Sequence, residues 1–309
     1  MHSTAFRYFL QVAECASIRQ AAERLHVAPS AVSRQIAKLE HELDASLLER
    51  KARGVVLTEA GRILATFGVK STRDTEHLRS QIDDLNGLRK GLIIIATVEA
   101  MVAEFLPKCL AVFQQRHPGI IGRVNVLGTH AIAEAVLHHN ADVGIAYGTP
   151  KRPDLSVQAT LPQPLHAIVA PAHPFASRKS MFLSEFRNSP VALPNRSFGI
   201  RQMVDRAAIR AGFAFSQILE TNSLEMAKGL VRHSRAVTFM PLLTVLRDLR
   251  LGAVVAIPLR DSTFASTSID VFTATDRTLP RASQAFLAEL RQAVADFRVS
   301  GGQKKARLK

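Results

Sequence analysis

The stretch Ser17–Leu43, SIRQAAERLHVAPSAVSRQIAKLEHEL, constrains this chain more than any other, because it spells two short helices joined by a tight turn. Ser17 followed by Gln20 has the capping-box spacing, in which a hydroxyl and an amide satisfy N–H groups that open a helix. Ile18, Ala21, Ala22 and Leu25 then recur on one helix face. His26 and Val27 leave that period, and Pro29 suits the first turn of a second helix, where its missing N–H is not needed. In that helix Val32, Ile36, Leu39 and Leu43 make a narrow apolar stripe that requires burial. The opposite face carries Ser30, Ser33, Arg34, Ala37 and Lys38, which are small side chains, hydroxyls and cations.

A face of that kind fits a major groove, where small residues permit close approach and Arg or Ser reach base edges and phosphates. For an isolated helix the ordinary alternative is a solvated polar face; the partner helix, the short turn and the flanking segments favour the groove. With AAERLHV, the A-x-S-R-Q-I pattern at Ala31–Ile36, Leu39-Glu40, and LTEAG at Leu57–Gly61, the chain resembles LysR-type transcriptional regulators. The resemblance spans essentially the whole chain and is most specific in the first 65 residues. It implies a multidomain protein: an amino-terminal winged helix-turn-helix, mainly α, a long linker helix, and a two-lobed α/β effector domain of the type 2 periplasmic-binding-protein kind. Family members commonly carry a base-reading Gln where this chain has Pro29, so base readout here leans on Ser30, Ser33 and Arg34. Ser17, Pro29 and Lys38 complete the helix-turn-helix candidates for contact with double-stranded DNA.

The 309 residues suffice for several domains, and 47% hydrophobic content supports packed cores. Forty Lys plus Arg against 26 Asp plus Glu, a net charge of +14, favour a polyanionic partner or an anionic ligand. Residues 1–90 carry only +3 of that charge, so net charge alone does not locate a DNA surface. Cys15 and Cys109 lie far apart without metal-type spacing, as expected of buried small residues in a reducing cytosol. The amino terminus lacks an apolar core behind a basic segment, and no run approaches the ~20 residues that span a bilayer. A cytoplasmic protein without membrane partner or cofactor is the expectation.

Thr4 is placed to cap a first helix with a stripe of Phe6, Phe9, Leu10 and Ala13. Ser46–Thr58 reads as a small β-wing whose Arg50, Lys51 and Arg53 neutralise phosphates or simply sit at a solvated hairpin tip. From Thr58 to about Arg89, Ala60, Leu64, Phe67, Leu78, Leu85 and Leu88 follow a 4,3 alternation. A helix of that span runs roughly 45 Å at ~1.5 Å per residue, too long to bury its seam on a small domain. Self-association through this helix is therefore expected, or else packing on the chain's own carboxy-terminal domain; family analogy extends the dimer to a tetramer and retains RNA polymerase as a further partner. The expected domains are 1–58, the linker 59–90, and an effector domain 91–300, with lobe I at about 91–161 and 266–300 and lobe II at about 162–265. The basic tail 301–309 is expected to be disordered.

Within the effector domain, strand and helix patterns alternate: strands Leu92–Thr97, Ile121–Leu127, Asp142–Tyr147, Leu165–Val169, Val191–Leu193, Ala214–Leu219, Ala236–Met240 and Ser266–Thr273, with helices between. The helices span Ala100–Arg116, Ala131–His139, Gly199–Ala211, Ser223–Arg232, Leu242–Arg250 and Ala282–Phe297. Two passages between the lobes make a hinge with a small-molecule cleft. Strand ends and helix starts nominate its lining: Thr97, Glu99, Met101, Thr129, His130 and Tyr147 from the first lobe. Asn195, Ser197, Phe198, Arg201, Asn222 and Thr238 come from the second. Glu99 argues against a plain anion pocket and is suited to a ligand amine or hydroxyl. The family often places Gly where this chain has Ser234 and Ala236. An α/β enzyme or a solute-binding protein with an accessory DNA-binding domain is the alternative. Against it, no dinucleotide, phosphate-loop, zinc-protease or nucleophile-elbow motif is present, and His138-His139 has no third ligand at useful spacing.

Overall fold

The computed structural model describes residues 3–51, 54–68, 71, 75 and 90–306, and the chain divides into two compact units, Met1–Ile82 and Asp83–Lys309. In the first unit, α1 (Thr4–Cys15), α2 (Ile18–Leu25) and α3 (Pro29–Glu42) close on Phe9, Val12, Ala21, Ala22, Val32 and Ile36, all buried. Ser3 rather than Thr4 caps α1, accepting from the Phe6 N–H at 3.3 Å, because Thr4 already lies in the first turn. Ser17 caps α2 by accepting from the Gln20 N–H at 3.3 Å. The turn is tight because His26 adopts a left-handed φ of 55°, which lets the Val27 N–H return to the Ala22 carbonyl at 3.0 Å. Leu43 departs from the expected stripe: the helix ends at Glu42, Leu43 is its cap, and its side chain is exposed.

Strands β1 (Leu48–Lys51) and β2 (Gly54–Leu57) pair antiparallel as the wing. Thr58 then caps α4, helical over residues 59–68, by accepting from the Gly61 N–H at 2.9 Å. A Cβ at Gly61 would lie 2.1 Å from the Leu47 carbonyl oxygen, so the glycine of LTEAG is what lets α4 lie against the base of the wing. Leu78, Leu85 and Leu88, the later part of the expected seam, lie outside the described residues.

The second unit contains two lobes built on one plan. In lobe I, β3 (Gly91–Thr97), β4 (Ile120–Val126) and β5 (Val143–Tyr147) are parallel and joined by α5 (Phe105–Arg116) and α6 (Thr129–Leu137). With β6 (Leu155–Pro162) and β12 (Ser268–Ala274) the sheet order is β4-β3-β5-β12-β6. Lobe II holds β7 (Leu165–Val169), β8 (Pro190–Pro194), α7 (Gly199–Arg210), β9 (Ser216–Thr221), α8 (Leu224–Arg232), β10 (Thr238–Pro241), α9 (Leu242–Arg250) and β11 (Val255–Pro258). A parallel bridge between Val191 and Val237 joins the β8-β9 pair to β10-β7-β11, giving β9-β8-β10-β7-β11, the order of lobe I repeated. The short α10 (Ser262–Ala265) precedes the return to lobe I, where α11 (Arg281–Ala306) docks.

Several expectations need correction. The segment after β3 is a 3-10 turn, Glu99–Met101, and α5 begins only at Phe105. Starting there puts Pro107 in the first turn; a start at Ala100 would place it inside the helix, where it clashes. Strands β6 and β11 lie at sheet edges and were not anticipated: polar Ser156, Gln158 and Thr160 mask the first, and the second is four residues long. The tail expected to be disordered is helical through Ala306.

Lobe II is clipped internally by Asp248 on α9, whose Oδ2 lies 3.0 Å from Lys228 Nζ and whose Oδ1 lies 2.6 Å from Arg232 on α8. Burial pushes the Asp248 carboxyl up, but Lys228 and Arg232 outweigh it and hold it below its usual value of 3.8. Its stabilisation is therefore complete above about pH 4 and is lost as pH falls through the lowered folded value. Asp248→Asn should cost about 3 kcal/mol, the scale for breaking a buried ion pair. Denaturant melts at pH 7 and pH 3 check this: the difference between parent and variant should shrink at the lower pH.

Candidate nucleic-acid interface and ligand cleft

The buried stripe of α3 fixes which side faces out. Val32, Ile36 and Leu39 are buried, while Pro29, Ser30, Arg34, Ala37 and Lys38 are exposed and Ser33 is half-buried. Lys38 Nζ lies 3.8 Å from Glu42, a loose exposed contact that a phosphate can replace. Ser17 is half-buried and its hydroxyl is engaged as the α2 cap, so its expected role at DNA is limited to what a capped helix start can offer. On the wing, Arg50 lies opposite Val55 and Lys51 opposite Gly54. Lys51 Nζ is 2.9 Å from Glu49, and its hydrogen bond and charge hold the Glu49 carboxyl below the usual range. Arg53 lies outside the described residues.

Glu40, read in the sequence only as part of a motif, links α3 to the wing. Its Oε1 accepts from the Leu47 N–H at 2.7 Å and the Leu48 N–H at 3.2 Å, tying the last turn of α3 to the first strand of the wing. The signal was the Leu39-Glu40 pair itself, where an acid beside the apolar stripe is placed to reach a neighbouring backbone.

The cleft candidates divide into two groups. Thr129, Ser197 and Asn195 come together at the lobe junction: the Thr129 N–H donates to the Ser197 carbonyl at 3.2 Å, and Asn195 Oδ1 accepts from Ser197 Oγ at 2.6 Å. A Cβ on Gly128 would sit 2.5 Å from the Ser197 oxygen, so the two backbones touch because a glycine permits it. His130, Ser197 and Asn222 are exposed, and Phe198 is half-buried as the residue preceding α7. Glu99 crosses to lobe II, where both its carboxylate oxygens lie 2.9 Å from the Leu224 N–H.

Five further candidates are buried. Met101 and Thr97 are buried beside β3. Tyr147 is buried and donates to the Gln163 carbonyl at 3.0 Å; burial raises its phenol well above the ordinary range, so it stays a donor. Arg201 is buried and bonds Asp205, Glu220, Gln217 and the Pro194 carbonyl, holding α7 to β9 and the end of β8. Thr238 is fully buried on β10. Among the described residues no group of three or more His, Cys, Asp or Glu could hold a metal ion. Burial pushes the Cys109 thiol up to about 11.

Residues 3–62 match the model of the bacterial regulatory helix-turn-helix protein, lysR family, and residues 86–295 match the LysR substrate binding domain. A transcriptional dual regulator, GltC of Bacillus subtilis, is 30% identical over 242 residues, covering 78% of this chain and 81% of its own. The RuBisCO operon transcriptional regulator of Allochromatium vinosum is 29% identical over 251 residues, 81% of this chain and 83% of its own. The solved structure of full-length CbnR in complex with its target DNA has a TM-score of 0.71 at 20% identity and covers 95% of this chain and 100% of its own.

Glu40→Ala removes the acceptor for two wing amides while leaving the α3 stripe intact. Hydrogen exchange at Leu47 and Leu48 should accelerate by roughly tenfold or more, as for a lost hydrogen bond to a charged group, with exchange along α3 unchanged. Equal acceleration in α3 would mean that Glu40 supports the helix rather than the wing.

Proposed function

We propose that this chain, which belongs to the LysR family of bacterial helix-turn-helix regulators, reads duplex DNA with α3 and answers to a small molecule held between its two α/β lobes. It is a transcriptional regulator with a helix-turn-helix domain and an effector-binding domain, and not an enzyme. The observation that carries the finer reading is the outward face of α3, where Ser30, Arg34, Ala37 and Lys38 are exposed directly opposite a fully packed stripe. Ser30, Ser33 and Arg34 reach base edges, Lys38 neutralises phosphate, and the wing cations Arg50, Lys51 and Arg53 add phosphate contacts.

Pairing of two copies is supported by α4, where Ile63 and Phe67 remain 66% and 57% exposed on their own unit. Such pairing would place two recognition helices on two half-sites. An effector in the cleft shifts the balance between open and closed lobes and thereby the spacing or bend of the bound DNA. A tetramer, a contact to RNA polymerase and a cytoplasmic location belong to the same proposal. No helix among the described residues is long and apolar enough to cross a membrane.

The test uses duplexes selected by the protein from a random pool. Arg34→Ala should weaken binding to the selected duplex by ~1–3 kcal/mol, the range for one specific base contact, and should flatten the sequence preference. Lys38→Ala should weaken all duplexes alike and reduce the salt slope by about 1. An Arg34→Ala protein that footprints the selected site as well as the parent overturns the assignment of α3. Separately, Phe67→Asp should shift the sedimentation coefficient toward that of a monomer; an unchanged coefficient would remove α4 as the pairing element.

A further inference from the structure

The start of α8 has no backbone donor left for a ligand. The Leu224 N–H points at both carboxylate oxygens of Glu99 at 2.9 Å, the Glu225 N–H lies 3.4 Å from Oε1, and the Met226 N–H is taken by Ser223 Oγ at 3.3 Å. Ser223 Oγ itself stands 3.4 Å from Glu99, and the Ser223 N–H donates to Thr221 Oγ1 at 3.1 Å. Every early N–H of the helix is thus satisfied, and the partner of two of them belongs to the other lobe.

Both ends of this contact are rigid. Glu99 opens a 3-10 turn closed by Val102 N–H to the Glu99 carbonyl at 3.1 Å, and the preceding Val98 N–H donates to Ile145 O at 3.0 Å. On the other side, α8 is seated by fully buried Ala227 and Val231 and by the Lys228–Asp248 pair. A carboxylate fixed to one body and a set of N–H dipoles fixed to another make a strong, charge-assisted join, and one that water can serve on both sides when the bodies part.

We propose that Glu99 is a latch between the lobes, the chain's own carboxylate standing at the start of α8 where an anionic effector would stand, and that such an effector acts by displacing it. The proposal rests on the cleft reading above and deepens it in two ways. The effector that uses α8 carries a carboxylate or an equivalent oxyanion. Its apparent affinity is lowered by the fraction of molecules in which Glu99 holds the seat. Glu99 is accordingly not a partner for a ligand amine while the latch is closed.

The test compares the full-length parent, Glu99→Ala and Glu99→Gln by hydrogen exchange at residues 222–226, with inorganic sulfate as the probe at fixed ionic strength. Exchange at Leu224 and Glu225 should accelerate about tenfold in Glu99→Ala and less in Glu99→Gln, whose amide oxygen still accepts. Sulfate should restore protection in Glu99→Ala at a concentration that leaves the parent unchanged. Unaltered exchange in Glu99→Ala overturns the latch, and exchange that accelerates but is not restored by sulfate overturns displacement by an anion. If Glu99→Ala does not fold, the same sulfate comparison on Glu99→Gln decides the matter. The cleft reading fails separately: a set of small carboxylates that shifts the melting midpoint of the parent and Glu99→Ala equally retains a ligand site but ends the latch, whereas no shift in either ends the cleft reading as well.

Discussion

The effector unit depends on the place where the chain passes from one lobe to the other. Gln163 and Thr267 lie on the two passages and are hydrogen-bonded to each other: the Gln163 N–H donates to the Thr267 carbonyl at 2.9 Å, and Thr267 Oγ1 lies 2.8 Å from the Gln163 carbonyl. Tyr147 adds a bond to the Gln163 carbonyl, and burial raises its phenol well above the ordinary range. The Gln163 side chain reaches further, accepting from the Leu243 N–H at the start of α9. All of these groups are withdrawn from water, so breaking them to slide one lobe along the other would leave polar atoms unsatisfied. Rotation about the two passages disturbs them less, because the donors and acceptors lie on or next to the passages themselves. On these bonds, rotation is the less costly of the two relative motions of the lobes.

The same division between what is fixed and what is free organises the smaller unit. Helix α3 is fixed by its stripe, by its packing on α1 and by Glu40, which grips the wing through two backbone amides. Gly61 lets α4 close against the Leu47 carbonyl, so wing and helix share one base. What is left unpacked is a short run of hydroxyl, methyl and cationic side chains on one side of α3. Rigid presentation of a few groups suits recognition of a groove better than a larger but mobile surface, because little side-chain freedom is lost on contact.

Much of this was legible in the sequence because periodicity and caps are local. Ser17, Pro29, the β3 run Leu92–Thr97 and the glycine of LTEAG each announce their place within a few residues. The features that escaped are those decided by distant neighbours. Leu43 continues an apolar spacing but falls after the last turn of its helix; β6 shows polar residues because it lies at a sheet edge; Met101, Tyr147 and Arg201 stand near strand ends or helix starts yet are buried. Arg201 is instructive: an arginine near a helix start reads as cleft lining or as a surface charge, and only the fold reveals Asp205 and Glu220 already beside it. Glu99 shows the converse. As a lone acid it argues for a basic ligand, whereas in three dimensions its charge is already answered by the dipole of α8.

Net charge misleads in a related way. The excess of positive charge in the effector unit is concentrated in residues 162–265, where 13 Lys or Arg face 6 Asp or Glu, and not in the helix-turn-helix. Several of those cations are structural: Arg201 and Lys228 are buried, and Arg232 closes the pair with Asp248. Arginine suits this work because its planar fork satisfies several acceptors at once without losing its charge. A basic composition can thus reflect how a lobe is held together. Affinity for a polyanion follows only from cations that remain exposed and loosely partnered, and on α3 two well-placed ones, Arg34 and Lys38, meet that condition. Position relative to a rigid, packed stripe is what turns a charge into a contact, and the bulk excess contributes mainly to long-range attraction that salt screens within about 10 Å.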